Sequence, residues 1–239
     1  MSIFDKALQT TFPGAVPSDE YLATVRTTIE DLGYTRERTL PLVSICRDEL
    51  TTDFFAAIQE IWGPAFTLAG LGGVPALGRT GWDAAFSHIP NDNGRGAVLV
   101  LGFPHIGIED DGAIGVTLRP GQTTPTSTCG ALSSIQQRAS DGTLPTEVDV
   151  EDYEATKLAL RLVDPDKPPS SLVDLTIAAL EALELDLWSA LDAARVWHDH
   201  DVTVWCGVQI HGHGGRDWIW PRDAWFTGGD GERRRVRHS

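Results

Sequence analysis

Cys46, His105 and Cys129 are the residues of this sequence best suited to shared chemistry. Thiolate and imidazole are donors that suit zinc, and three protein ligands leave the fourth tetrahedral position for water. A zinc ion held in that way is catalytic in kind, because it lowers the pKa of its bound water to about 7 and makes hydroxide available near neutrality. The three residues lie far apart and match no short zinc-finger spacing. The plain alternative is two buried thiols and a hydrogen-bonded histidine, since free cysteine packs as a small hydrophobe.

Each of the three sits where an expected strand or turn runs out. Cys46 closes the apolar run Leu40-Pro-Leu-Val-Ser-Ile-Cys46, and His105 follows Ala97-Val-Leu-Val-Leu-Gly-Phe103 and Pro104. Cys129 precedes Gly130-Ala-Leu-Ser-Ser-Ile135, which reads as a helix start. Ligands placed at strand ends converge in an open α/β sheet. The first amides of the helix after Cys129 are expected to favour its thiolate, as helix N-termini favour negative charge.

The strings around these residues occur in a fixed order: Ser44-Ile-Cys46-Arg-Asp48-Glu49, Gly70-Leu-Gly-Gly-Val-Pro75, Gly78-Arg-Thr-Gly81, Phe86-Ser-His88-Ile-Pro90, Pro104-His105-Ile-Gly-Ile108, Arg119-Pro-Gly-Gln122 and Cys129-Gly130-Ala131. The series resembles the limiting-CO2-inducible B/C protein family, also called theta-class carbonic anhydrases, whose fold is similar to β-carbonic anhydrases. It spans residues 40 to 132, with a weaker echo in Gly207-Val-Gln-Ile210. The resemblance implies that Cys46, His105 and Cys129 ligate Zn2+ and that a zinc-held hydroxide converts CO2 to bicarbonate. It also implies that Asp48 accepts a hydrogen bond from the zinc-bound water or, in a closed state, ligates the metal itself. The chain departs from the β-enzyme pattern at Leu50, where the arginine that partners this aspartate usually stands. Arg47, Arg79 and Arg119 are the candidates to replace it, and Arg79 joins Asp48 and His88 in the expected catalytic set. Arg47 is the least suited if residues 46 to 48 are extended, because neighbouring side chains then point to opposite faces.

His88 is the candidate proton shuttle, since unperturbed imidazole titrates near pH 6.5. The alternative is a loop histidine that bonds the Ile89-Pro-Asn-Asp-Asn-Gly94 turn. His198, His200, His211 and His213 could be read as a second metal cluster, but the glycines of His211-Gly-His213-Gly-Gly favour a loop, and a surface or dimer-contact role is expected. Cys206 is expected to be a buried strand thiol. Phe54, Phe55, Leu71 and Phe86 are possible pocket walls, with core packing the expected role for each.

The chain of 239 residues, 41% hydrophobic, is long enough for a full core in one domain. The fold expected is α/β: a β-carbonic-anhydrase-like, mostly parallel central sheet flanked by helices, with N-terminal and C-terminal helical additions. Residues 1–239 read as a single zinc-dependent domain, comprising an N-terminal helical segment (1–39), a zinc-binding core (40–140), and C-terminal helices, a final strand and a tail (141–239). Helices are expected at 18–33, with Ser18 as N-cap, and at 49–61, 80–88, 128–139, 150–162 and 171–197, the last after a break at Asp164-Pro-Asp-Lys-Pro-Pro169. Strands are expected at 40–46, 65–69, 96–103 and 201–210, with a hairpin from Asp110 to Val116. Trp218, Trp220 and Trp225 suggest an aromatic cover for an apolar surface.

The net charge of −15 opposes nucleic-acid and anionic-membrane binding, while neutral CO2 is indifferent to it. The basic end Glu232-Arg-Arg-Arg-Val-Arg-His-Ser239 is expected to be solvated or paired. The start Met1-Ser-Ile-Phe-Asp-Lys lacks a basic region and a long apolar stretch, and three cysteines fit a reducing, cytoplasmic setting. Two functions fit: a zinc carbonic anhydrase, or a catalytically silent zinc protein of the same fold that binds bicarbonate or a carbon-metabolism partner. A homodimer is implied by the resemblance in either case. A zinc hydrolase of small esters or amides is weaker, since no carboxylate is placed as a general base beside a His-Glu-x-x-His type site.

Overall fold

The run Gly96–Phe103 carries no polar side chain and is buried at every residue, the pattern of a strand covered on both faces. It lies at the centre of the molecule. The computed structural model describes residues 1–91, 94–164 and 167–236. In chain order these form α1 (Ile3–Thr11), β1 (Val16–Pro17), α2 (Ser18–Asp31), β2 (Thr39–Ile45), α3 (Thr52–Trp62), β3 (Phe66–Thr67), α4 (Arg79–Ser87), β4 (Gly96–Phe103) and β5 (His105–Gly107). There follow β6 (Val116–Thr117), β7 (Thr126–Ser127), α5 (Gly130–Asp141), α6 (Tyr153–Leu162), α7 (Leu172–Ala194), β8 (His200–His211), β9 (Asp217–Pro221), β10 (Ala224–Thr227) and β11 (Arg233–Val236).

The sheet is mixed, and its core is parallel. Strands run in the order β1-β9-β8-β4-β2-β3, with β2, β3, β4 and β8 parallel and β9 and β10 antiparallel to β8. β4 and β5 keep one register along β8, with Gly102 opposite Cys206 and His105 opposite Gln209. Only Pro104 interrupts them. It has no N–H to donate to the ladder, although its carbonyl still accepts from the Gln209 amide at 2.9 Å.

Two apolar layers cover the sheet. On one face α2 and α3 bring Val25, Ile29, Phe54 and Ile58 against Val43, Leu99 and Leu101. On the other, Leu132 of α5, Leu158 of α6 and the stripe Leu175, Leu180, Leu183, Leu187 and Leu191 of α7 meet Leu42, Val98, Val100 and Val204. Burial of such side chains stabilises the fold by about 1.5–3 kcal/mol each.

The expected α/β class and the core strands and helices are present, with revisions at the boundaries. Pro17, not Ser18, occupies the cap position of α2 and makes no side-chain cap bond. The helix expected from residue 49 opens as a 3-10 turn, Glu49–Thr51, because the Asp48 side chain accepts the Leu50 amide and caps it there. α7 stops at Ala194 because Arg195 adopts a left-handed conformation, φ 48°. The region read as a tail is β9, β10 and β11, so Trp218 and Trp220 sit in a strand. They cover α1, whose Phe4 lies 4.7 Å from Trp218 and whose neighbour Phe12 lies 5.7 Å from Trp220, ring centre to ring centre. Parts of the 89–94 turn, the 164–169 break and the basic end lie outside the described residues.

Candidate metal centre

β2 ends at Ile45 and delivers Cys46, the β4–β5 strand delivers His105 just past Pro104, and Cys129 is the N-cap residue of α5. All three are buried, with 6%, 0% and 1% exposure. One donor atom from each lies within 4.8 Å of the other two. That cluster can hold a metal ion.

The surroundings of the three donors fit such an ion. The Nε2 atom of His105 is buried without a hydrogen-bond partner, which is costly unless something occupies its lone pair. The Cys46 thiol is held far below its ordinary value by its hydrogen bond with Cys129 and by His105, while the same contact and burial push Cys129 far above. Two thiolates this close repel, and a divalent cation between them removes that cost. Backbone amides contribute as well: Asp48 N–H points to Cys46 and Leu132 N–H to Cys129, the latter from the first turn of α5.

Asp48 stands two residues after Cys46 and outside the donor cluster. Its carboxylate accepts the Leu50 amide at 3.1 Å and the guanidinium of Arg119, with Nη2 to Oδ2 at 3.1 Å. Burial raises the Asp48 carboxyl above its ordinary value, against the Leu50 amide, His105 and Arg119. Of the three candidate arginines, then, Arg119 is the partner. Arg79, the expected one, instead begins α4 as an exposed residue. Arg47 turns away to Glu154 at 2.6 Å.

Arg119 does more than pair. It also donates to Glu49 at 2.5 Å, to the carbonyl of Ser127 at 2.9 Å and to that of Thr128 at 3.1 Å. One planar side chain thus fastens the loop after Cys46 to the segment before Cys129. A pocket of about 190 Å³ opens beside Cys46 and Asp48, walled by Thr51, Phe55, Thr67 and Ala69. Phe55 is therefore a wall, as the sequence allowed. Phe54 packs edge-on against Phe103, Phe86 stacks on Trp82, and Leu71 lines a separate cavity with Trp82. His88 lies outside this lining. It is exposed, follows α4 as its C-cap and sets its ring 5.5 Å from that of Phe66.

His211 is not a surface loop residue; it ends β8, is 3% exposed, and its Nε2 lies 3.0 Å from Nδ1 of His105. Its Nδ1 in turn bonds Asp217 at 2.9 Å. Burial lowers the His211 pKa, with Asp217 opposing. His213, by contrast, is exposed near Glu109 and Asp110. The only sequence signal for His211 was its place at the end of an apolar strand.

A family model for limiting CO2-inducible proteins B/C beta carbonic anhydrases matches residues 15–227. The chain belongs to this family. Among solved structures it is similar to limiting CO2-inducible protein LCIB, with 26% sequence identity and a TM-score of 0.77 over 97% of this chain and 98% of that one. It is similar in fold to PtLCIB4, a homolog of LCIB, with 24% identity and a TM-score of 0.81 over 97% of this chain and 98% of that one. No curated protein matches it. The carbonic-anhydrase family and the Cys46, His105, Cys129 cluster therefore coincide in one chain.

Proposed function

We propose that this protein is a zinc carbonic anhydrase that hydrates CO2 reversibly to bicarbonate, with Zn2+ held by Cys46, His105 and Cys129. The observation that carries the reading is the Arg119–Asp48 pair beside the three donors. An aspartate clamped by a guanidinium would keep its oxygens off a metal held by the three donors, so that water could be its further ligand. When bound, zinc lowers the pKa of water to about 7 and supplies a nucleophile at neutral pH.

The chain's own groups do the rest. An ionised Asp48 only accepts hydrogen bonds, so it would accept one from the reacting water and turn the oxygen lone pair toward the pocket. Arg119 opposes the effect of burial on that carboxylate and holds it in place. Phe55 and Ala69 provide the apolar surface that CO2 prefers, and Thr51 and Thr67 line the same pocket for the more polar product. His88 is assigned the transfer of protons to solvent, supported by its exposure beside β3, whose Thr67 is a pocket wall. Free, buried Cys46, Cys129 and Cys206 support a reducing, cytoplasmic setting. Among the described residues no helix is long and apolar enough to cross a membrane. The family relation supports a homodimer, which sedimentation equilibrium tests.

Stopped-flow CO2 hydration with a pH indicator on the zinc-loaded protein tests the reaction. Metal-dependent activity that falls by about 10²–10³-fold in Asp48→Ala is expected. Zinc-loaded protein with no activity from about pH 6 to 9 refutes the enzyme and leaves a bicarbonate-binding or partner-binding protein.

A further inference from the structure

The pair His211 and Asp217 lies behind the metal centre, and nothing in the proposed reaction uses it. We propose that Asp217 and His211 are positioning residues, a relay that fixes which ring nitrogen His105 presents to the metal. This rests on the metal site of the preceding reading but not on the reaction.

A carboxylate can only accept, so the 2.9 Å contact between Asp217 Oδ1 and His211 Nδ1 places a proton on that nitrogen. A neutral imidazole then has a bare Nε2, which must accept. Its partner at 3.0 Å is His105 Nδ1, which therefore carries the hydrogen of its own ring. His105 is left with a free lone pair on Nε2, the buried atom without a partner beside the two thiols. Without the relay both tautomers are open to His105, and the one with hydrogen on Nε2 has no lone pair there for a metal.

Backbone pairing holds the relay in place. His211 and Asp217 face one another in the β8–β9 register, and His105 is paired with Gln209 along β5. Gln209 Nε2 donates to Asp217 Oδ2 at 2.7 Å, so the second carboxylate oxygen is occupied and the group cannot swing away from His211. Three side chains on neighbouring strands thus act on one ligand. Partners of this kind typically change metal affinity by about 10- to 100-fold when removed.

The test is zinc affinity by competition with a chromophoric chelator, for wild type, His211→Leu, His211→Gln and Asp217→Ala, with circular dichroism to check folding. The Gln oxygen stands where Nε2 of His211 stood and can still accept from His105. Losses of about 10- to 100-fold are expected for His211→Leu and Asp217→Ala, with affinity largely restored in His211→Gln. Long-range ¹H–¹⁵N correlation spectra of zinc-loaded wild type read the tautomer without any substitution and should show hydrogen on Nδ1 of His105. A folded His211→Leu that binds zinc like wild type, or a hydrogen on Nε2 of His105, overturns the relay. Wild type that binds no zinc overturns relay and carbonic anhydrase together, whereas zinc affinity that follows the relay without CO2 hydration overturns the reaction alone.

Discussion

Arg119 is the residue on which the candidate site turns. Its guanidinium reaches Asp48, Glu49, Thr126 and two backbone carbonyls, which uses both the number of its donors and their planar fork. Lysine offers a single nitrogen and cannot serve both loops. Arg119→Lys is expected to keep the positive charge but lower kcat/KM for CO2 hydration by about 10- to 100-fold, since a loosened Asp48 no longer orients the reacting water. A variant with unchanged kinetics would show that charge near Asp48 suffices and that the fork is irrelevant.

At the scale of elements, the site depends on how tightly a short strand and its cover fit. Gly107 ends β5 two residues after His105, and the β6–β7 hairpin closes over it. A Cβ there would collide with the hydroxyls of Thr117 and Thr128 and with the Val116 carbonyl. Those hydroxyls bond each other at 2.8 Å, and Thr128 directly precedes Cys129. Gly107→Ala is therefore expected to destabilise the fold by about 1–3 kcal/mol and to weaken zinc binding, because relief of the clash displaces the Cys129 segment. Urea unfolding and zinc competition on one preparation check both parts; a stable variant with native affinity would mean that the hairpin does not seat the ligand.

The whole molecule separates structure from chemistry along β8. Its C-terminal end carries Gln209 and His211 behind the candidate metal centre, while its N-terminal end carries Asp201, paired with Arg38 at 2.6 Å and Arg95 at 2.7 Å. Arg95 also donates to the carbonyls of Trp197, His198 and His200, which ties the turn after α7 to the sheet. The ten residue steps from Asp201 to His211 span about 33 Å in an extended strand. Asp201→Ala strands two partly buried guanidinium groups and is expected to cost about 2–3 kcal/mol in urea unfolding, with zinc stoichiometry unchanged. Loss of bound zinc in the folded variant would instead show that the two ends are coupled.

Local order was legible because it is written locally. The apolar runs at 40–46 and 96–103 announced buried strands, the leucine spacing of 172–191 announced α7, and Cys46, His105 and Cys129 each stood at the end of such an element, so their convergence followed from the strand-end rule. Asp48 was legible from its distance to Cys46. Long-range pairing was not. Nothing in the spacing could rank Arg47, Arg79 and Arg119, since the choice depends on the β6–β7 hairpin bringing residue 119 back to residue 48 and on Glu154 drawing Arg47 away. His211 looked like a loop residue because glycines follow it, and the Trp-rich segment looked like a tail because its strands find partners only across the sheet. Hydrophobic period and turn chemistry act between near neighbours and survive in the sequence. Which distant strand fills a given sheet edge, and therefore which polar side chains meet behind a ligand, is decided by the summed packing of the whole chain.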